Sequence, residues 1–150
     1  MIQSVSITNF RNIKQEEVNT SSRFVLLYGN NGQGKTSFLE AVQLLVSNQN
    51  SRSRVTRQLI RQEQSFARLF STQQSQKQTY QTELKLLLLA NGRVQKKYLE
   101  NGQEKIFRKR KYSLPCVFFC PQEVRLFEGS PGRRRAFWDN LLENCEPNYA

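Results

Sequence analysis

The chain has 150 residues, enough for one domain of ordinary size, and carries 23 Lys+Arg against 12 Asp+Glu, a formal net charge of +11. Histidine is absent and the cysteines are Cys116, Cys120 and Cys145, which excludes Ser-His and Cys-His catalysis, His-ligated zinc and a four-thiolate metal site. The charge favours a polyanionic partner, most often nucleic acid. No apolar run nears the roughly 20 residues of a membrane span, and no basic segment leads into an apolar stretch at the N-terminus, so the expectation is a cytoplasmic protein with reduced thiols.

Val5, Ile7 and Phe10 fall among polar residues, so residues 2–8 read as a half-buried strand and 13–18 as its hairpin partner. Phe24-Val25-Leu26-Leu27-Tyr28 is an uninterrupted apolar run, the pattern of a strand buried on both faces, and it stops at Gly29. Residues 35–46 place Phe38, Leu39, Ala41, Val42, Leu45 and Val46 at the spacing of an amphipathic helix. Residues 48–57 are polar and basic and read as an exposed loop, with a short helix near 56–62. Residues 66–70 read as a strand, the Gln- and Ser-rich 71–78 as a loop, and 80–89 as a strand closed by the turn Ala90-Asn91-Gly92. Residues 93–99 return to Asn101-Gly102, a turn of the type hairpins favour, so an antiparallel meander is expected between residues 66 and 107. Residues 114–120 form another apolar run, a buried strand on which Cys116 and Cys120 are small core residues. Ser130-Pro131 opens a last helix with a hydroxyl cap and then proline at the first helical position. Arg133, Arg134 and Arg135 fall in its first turn, where they oppose the helix dipole and hint at an anionic partner, and Ala136, Phe137, Leu141 and Leu142 form its apolar face.

The strongest signal is Gly29-Asn30-Asn31-Gly32-Gln33-Gly34-Lys35-Thr36, which fits G-x-x-x-x-G-K-[ST]. The glycines permit positive φ and close backbone approach. Successive N–H groups then converge on phosphate oxygens at the positive end of the following helix. Lys35 sets a mobile ammonium against the β- and γ-phosphates, and Thr36 offers a hydroxyl to Mg²⁺, a hard cation that prefers oxygen. The preceding apolar run and the following amphipathic helix are the context this motif requires, and Mg-ATP binding is expected. A second acidic residue at the end of an apolar strand, needed to hold Mg²⁺ and orient water, has no convincing candidate. Leu86-Leu87-Leu88-Leu89 runs into a turn, Glu123 follows Pro121, and Asp139 sits inside a helical pattern.

Asn9-Phe10-Arg11-Asn12, the loop just described, Phe119-Cys120-Pro121 and Gly129-Ser130-Pro131-Gly132-Arg133-Arg134-Arg135-Ala136-Phe137-Trp138-Asp139 together resemble, in order and spacing, the N-terminal part of the bacterial RecF family of DNA replication and repair proteins. The resemblance implies an α/β fold: a P-loop NTPase of the ABC/SMC-like head type, N-terminal half, with a mixed sheet and an antiparallel meander. It also implies DNA binding and an ATP-dependent homodimer. It further implies action at single-strand gaps and stalled forks in recombinational repair and the SOS response, with RecR as a partner that helps to load RecA. By the same likeness residues 29–36 hold the triphosphate, Arg11 lies near the nucleotide, and Gln122 falls where related ATPases carry a strand-end glutamine that senses Mg²⁺ and water. The family's arm, its signature segment and its acidic Mg²⁺ strand lie beyond Ala150, so little or no ATP hydrolysis is expected of this polypeptide alone.

Arg52, Arg54, Arg57 and Arg61, with Lys109, Arg110 and Lys111, could track a DNA backbone, single-stranded or gapped duplex. Aromatic residues are not interleaved with them, so base stacking is not signalled. A small P-loop nucleotide kinase is the rival reading, although the meander after the first helix does not suit it. A DNA-binding fragment with a vestigial nucleotide site is the other.

Overall fold

Two periodicities in the chain, near two along the first strand and near 3.6 after the glycine-rich loop, set the architecture. The computed structural model describes residues 1–46, 56–75, 78–105, 116–118 and 130–145. In chain order these form β1 (Ile2–Phe10), β2 (Ile13–Asn19), α1 (Lys35–Val46), a 3-10 turn (Thr56–Leu59), β3 (Phe66–Ser75), β4 (Gln78–Leu88), β5 (Val94–Glu100), β6 (Gln103–Glu104) and α2 (Pro131–Cys145). The strands make one six-stranded sheet in the order β2-β1-β3-β4-β5-β6. Every pairing among the described strands is antiparallel.

The inner face of the sheet is fixed by register. Val5 and Ile7 of β1 stand opposite Ser71 and Leu69 of β3, and Leu69 and Ala67 stand opposite Leu84 and Leu86 of β4. These side chains are buried, and α1 covers them with Phe38, Ala41, Leu44, Leu45 and Val46. Leu44 replaces Leu39 in the expected helical stripe, because Leu39 turns toward solvent. Tyr98 on β5 donates its hydroxyl to the Leu45 carbonyl at 3.1 Å, satisfying one of the orphan acceptors at the end of α1. Phe10, Ile13, Leu59 and Ile60 close the core beneath the β1–β2 turn, where Phe10 and Ile60 form an isolated bridge.

The first hairpin, α1, the short helical turn, the meander and the start of α2 at Pro131 agree with the sequence reading. Three expectations do not hold. Residues 71–75 continue β3, and β4 begins at Gln78, so the Gln- and Ser-rich stretch is mostly strand. Its inward positions are polar, which hides the alternation, yet they are satisfied in place: Gln73 donates from Nε2 to Ser71 Oγ and Thr82 Oγ1, each at 3.3 Å. Residues 24–28 form no strand. Phe24 is 83% exposed, Leu26 83% and Tyr28 87%, while Leu27 packs against the core. A strand buried on both faces needs paired neighbours, and no described strand pairs with this run. The expected strand at 114–120 is described only at 116–118, which is not strand there; Cys116 is half-buried against the core and Val117 is 88% exposed.

Candidate nucleotide-binding site

The loop 29–36 bends because its glycines take conformations other residues avoid: φ is +137° at Gly29, +80° at Gly32 and +97° at Gly34. At Gly34 there is a second reason. A Cβ there would stand 3.1 Å from Ile13 Cγ1 and 3.4 Å from Asn12 Oδ1, so the turn between β1 and β2 approaches the loop as closely as its backbone permits. The Gly34 carbonyl accepts the Phe38 N–H at 2.8 Å, the first bond of α1. The first turn of that helix holds no acidic residue, so its unpaired N–H groups and positive dipole end face the loop uncompensated.

Lys35 lies across this loop. Its Nζ donates to the Gly29 carbonyl at 2.8 Å and to the Asn30 carbonyl at 2.7 Å, so the ammonium spans the loop's opening and closing ends. Thr36 is exposed on the first helical turn. The arrangement offers a helix N-terminus, one ammonium held only by neutral carbonyls and one exposed hydroxyl. It suits a phosphate chain whose own oxygens complete the shell of a divalent metal, because Mg²⁺ commonly takes one or two protein ligands beside phosphates and water. Thr36 would hold such an ion. No cluster of three or more metal-ligating side chains occurs among the described residues.

The β1–β2 turn flanks the site. Asn9 and Arg11 both adopt left-handed backbone, at φ +51° and +50°. The Arg11 guanidinium grips Glu40 on α1, with Nη2 to Oε1 at 3.1 Å and Nε to Oε2 at 2.5 Å, so this arginine is held on the helix flank. Its neighbour Asn12 is the residue that touches the loop: Nδ2 donates to the Gly32 carbonyl at 2.7 Å, and Oδ1 accepts the Ser37 hydroxyl at 2.8 Å. Sequence reasoning took Arg11 from the Asn9-Phe10-Arg11-Asn12 element and passed over Asn12; the element itself carried the signal.

Two of the basic residues expected to meet DNA are described. The segment holding Arg57 and Arg61 is tied to the same turn, through Arg11 N–H to the Leu59 carbonyl at 2.9 Å and Arg61 N–H to the Asn9 carbonyl at 2.8 Å. Both arginines are half-buried, and Arg57 Nη1 lies 3.5 Å from the Ile60 carbonyl. Arg52, Arg54, Lys109, Arg110, Lys111 and Gln122 lie outside the described residues. On α2, Arg134 and Arg135 are exposed.

A family model described as AAA domain matches residues 4–143. The chain belongs to the AAA domain family. It is also similar along its length to DNA replication and repair protein RecF. The Halothermothrix orenii protein is 30% identical over 150 residues, covering 99% of this chain and 38% of that protein. The Picosynechococcus sp. protein is 36% identical over 152 residues, with 99% and 38% covered. A solved structure of the recombination mediator protein RecF-ATPrS in the RecFOR pathway superposes with a TM-score of 0.84 at 24% identity, over 99% of this chain and 40% of that one. The fold is therefore α/β, that of the RecF P-loop ATPase head, and this AAA domain chain spans about two fifths of the relatives it matches.

Proposed function

We propose that this AAA domain chain is the phosphate-binding part of an ATP-dependent DNA-binding protein of recombinational repair. The observation that carries the reading is the loop 29–36, with three positive-φ glycines, a bridging Lys35 and a bare helix N-terminus behind it. When the triphosphate enters, Lys35 exchanges its two carbonyl acceptors for phosphate oxygens, a gain in charge complementarity over neutral partners. The loop amides and the α1 dipole take the remaining negative charge. Thr36 gives its hydroxyl to Mg²⁺. Arg11 reaches phosphate only by leaving Glu40, so it contributes after a rearrangement of the β1–β2 turn.

The net charge of +11 supplies the second half of the reading. Arg57 and Arg61 sit on the segment hydrogen-bonded to the β1–β2 turn, and this nearness to the loop supports reading them as contacts to a DNA backbone. ATP then acts as a switch for DNA engagement and for homodimer closure. The relatives' names, a DNA replication and repair protein and a recombination mediator of the RecFOR pathway, support a role in recombinational repair; within this reading the whole protein acts in the cytoplasm at single-strand gaps, with RecR as a partner and RecA loading as the outcome. The experiment is a titration of the chain against gapped duplex DNA with ATP, with ADP and without nucleotide. ATP is expected to tighten binding in the unaltered chain and to leave the Lys35→Ala variant unaffected. DNA binding of equal strength in all three conditions overturns the switch and favours a vestigial nucleotide site.

A further inference from the structure

We propose that Asn12 is a positioning residue for phosphate binding: its side-chain amide fixes the Gly32–Gln33 peptide so that the Gln33 N–H is held ready for a phosphate oxygen. The inference rests on the nucleotide reading above and deepens it. The Gly32 carbonyl can only accept, so the Asn12 nitrogen faces it at 2.7 Å, and the Asn12 oxygen is left to take the Ser37 hydroxyl at 2.8 Å. One planar amide therefore ties the middle of the loop to the first turn of α1. A peptide unit is planar and trans, so its C=O and N–H point in opposite directions. Anchoring the Gly32 carbonyl on Asn12 turns the Gln33 N–H away from the β1–β2 turn.

Gly32 has φ +80° and open space where a Cβ would lie, so nothing packs against its Cα from that side. Glycine would let the peptide flip at little cost, and the Asn12 amide is what selects one face. Asn12 itself is held in place from behind. Its neighbour Arg11 is locked by Glu40 and by the Leu59 carbonyl, and Asn9 accepts from Arg61. Asn12 is exposed, and its removal opens no cavity in the core. Its effect belongs to the loop and to the ligand rather than to the stability of the sheet.

The test compares the unaltered chain with Asn12→Ala, Asn12→Asp, Ser37→Ala and Lys35→Ala by calorimetric titration with Mg-ATP and by thermal melting without nucleotide. Asn12→Ala is expected to weaken ATP binding about tenfold, the size of one lost hydrogen bond in a binding constant, with the nucleotide-free melting temperature close to that of the unaltered chain. Asn12→Asp is expected to weaken it further, because a carboxylate repels both the Gly32 carbonyl and the phosphates while still accepting from Ser37. Ser37→Ala leaves the Gly32 contact in place and is expected to lie between the two asparagine states, which keeps the test decisive should Asn12→Ala misfold. ATP affinity unchanged in Asn12→Ala and Asn12→Asp, with Lys35→Ala still impaired, overturns the positioning role and spares the nucleotide reading. A lowered melting temperature with unchanged ATP affinity shows a structural role and also overturns it. An unaltered chain that binds no ATP overturns the reading and the proposal together.

Discussion

Gly32 and Gly34 sit two residues apart with similar φ, at +80° and +97°, yet they answer to different constraints. At Gly32 only the backbone conformation excludes a side chain, whereas at Gly34 a Cβ would also press Ile13 Cγ1 at 3.1 Å. Gly32→Ala is therefore expected to lower stability by about 1 kcal/mol, the cost of left-handed backbone in a residue with a Cβ. Gly34→Ala is expected to cost about 2–3 kcal/mol, because the left-handed backbone strain adds to crowding of the Ile13 side chain. Chemical denaturation of both variants checks the order, and equal losses would mean that the turn does not bear on the loop. Cys116 gives a residue-scale prediction of another kind. Burial pushes its thiol pKa up from the ordinary value, so the neutral form is retained and less of the reactive thiolate is present at mildly alkaline pH. A group raised on folding stabilises the native state below its unfolded pKa and loses that contribution as pH climbs through the folded value. Alkylation mapped by mass at pH about 8 is expected to be slower at Cys116 in the native chain than in denaturant, and equal rates would contradict burial.

At the scale of elements, the β1–β2 turn is the joint of the structure. Phe10 is fully buried in it, bridged to Ile60, and flanked by two residues in left-handed backbone. Phe10→Ala is expected to destabilise the chain by about 3–5 kcal/mol, as for large-to-small changes in a closed core. Leu26→Ser, in the exposed run, is expected to change stability by less than about 0.5 kcal/mol. Urea melts of the pair test whether residues 24–28 stand outside the core. A loss of several kcal/mol at Leu26 would show that they are packed. The contrast also shows what a sequence can reveal. The helix at Lys35–Val46 was legible to the residue because a 3.6-residue stripe follows a glycine motif whose chemistry forces a helix start. The continuation of β3 through Ser75 was not legible, because Ser71 and Gln73 face inward and are satisfied across the sheet by bonds that local periodicity cannot report. The run 24–28 misled for the opposite reason: apolar composition signals a demand for neighbours, and no described strand meets it. In the site, the glycines and Lys35 could be read from spacing. Asn12 lay in an element the sequence singles out, but which of its residues meets the loop depends on β1 and β2 bringing a distant turn against Gly32.

Among the described residues, one sheet face and α1 form most of the core, and the loop 29–36 lies at the start of that helix beside the first hairpin. No helix of the described residues is long and apolar enough to cross a membrane. The surplus of 23 basic over 12 acidic residues gives the chain a field that attracts polyanions, and contacts to phosphates must respond to salt. Affinity for DNA is expected to fall with a log–log slope of about 0.9 for each phosphate neutralised, and a flat salt dependence would rule out the basic segments as the DNA contact. The most direct measurement is a calorimetric titration of the 150-residue chain and its Lys35→Ala variant with Mg-ATP. Saturable binding by the unaltered chain, weakened at least about tenfold by loss of the ammonium, is the predicted result. The same affinity in both proteins, or no binding in either, would contradict the assignment of residues 29–36 as a working phosphate site.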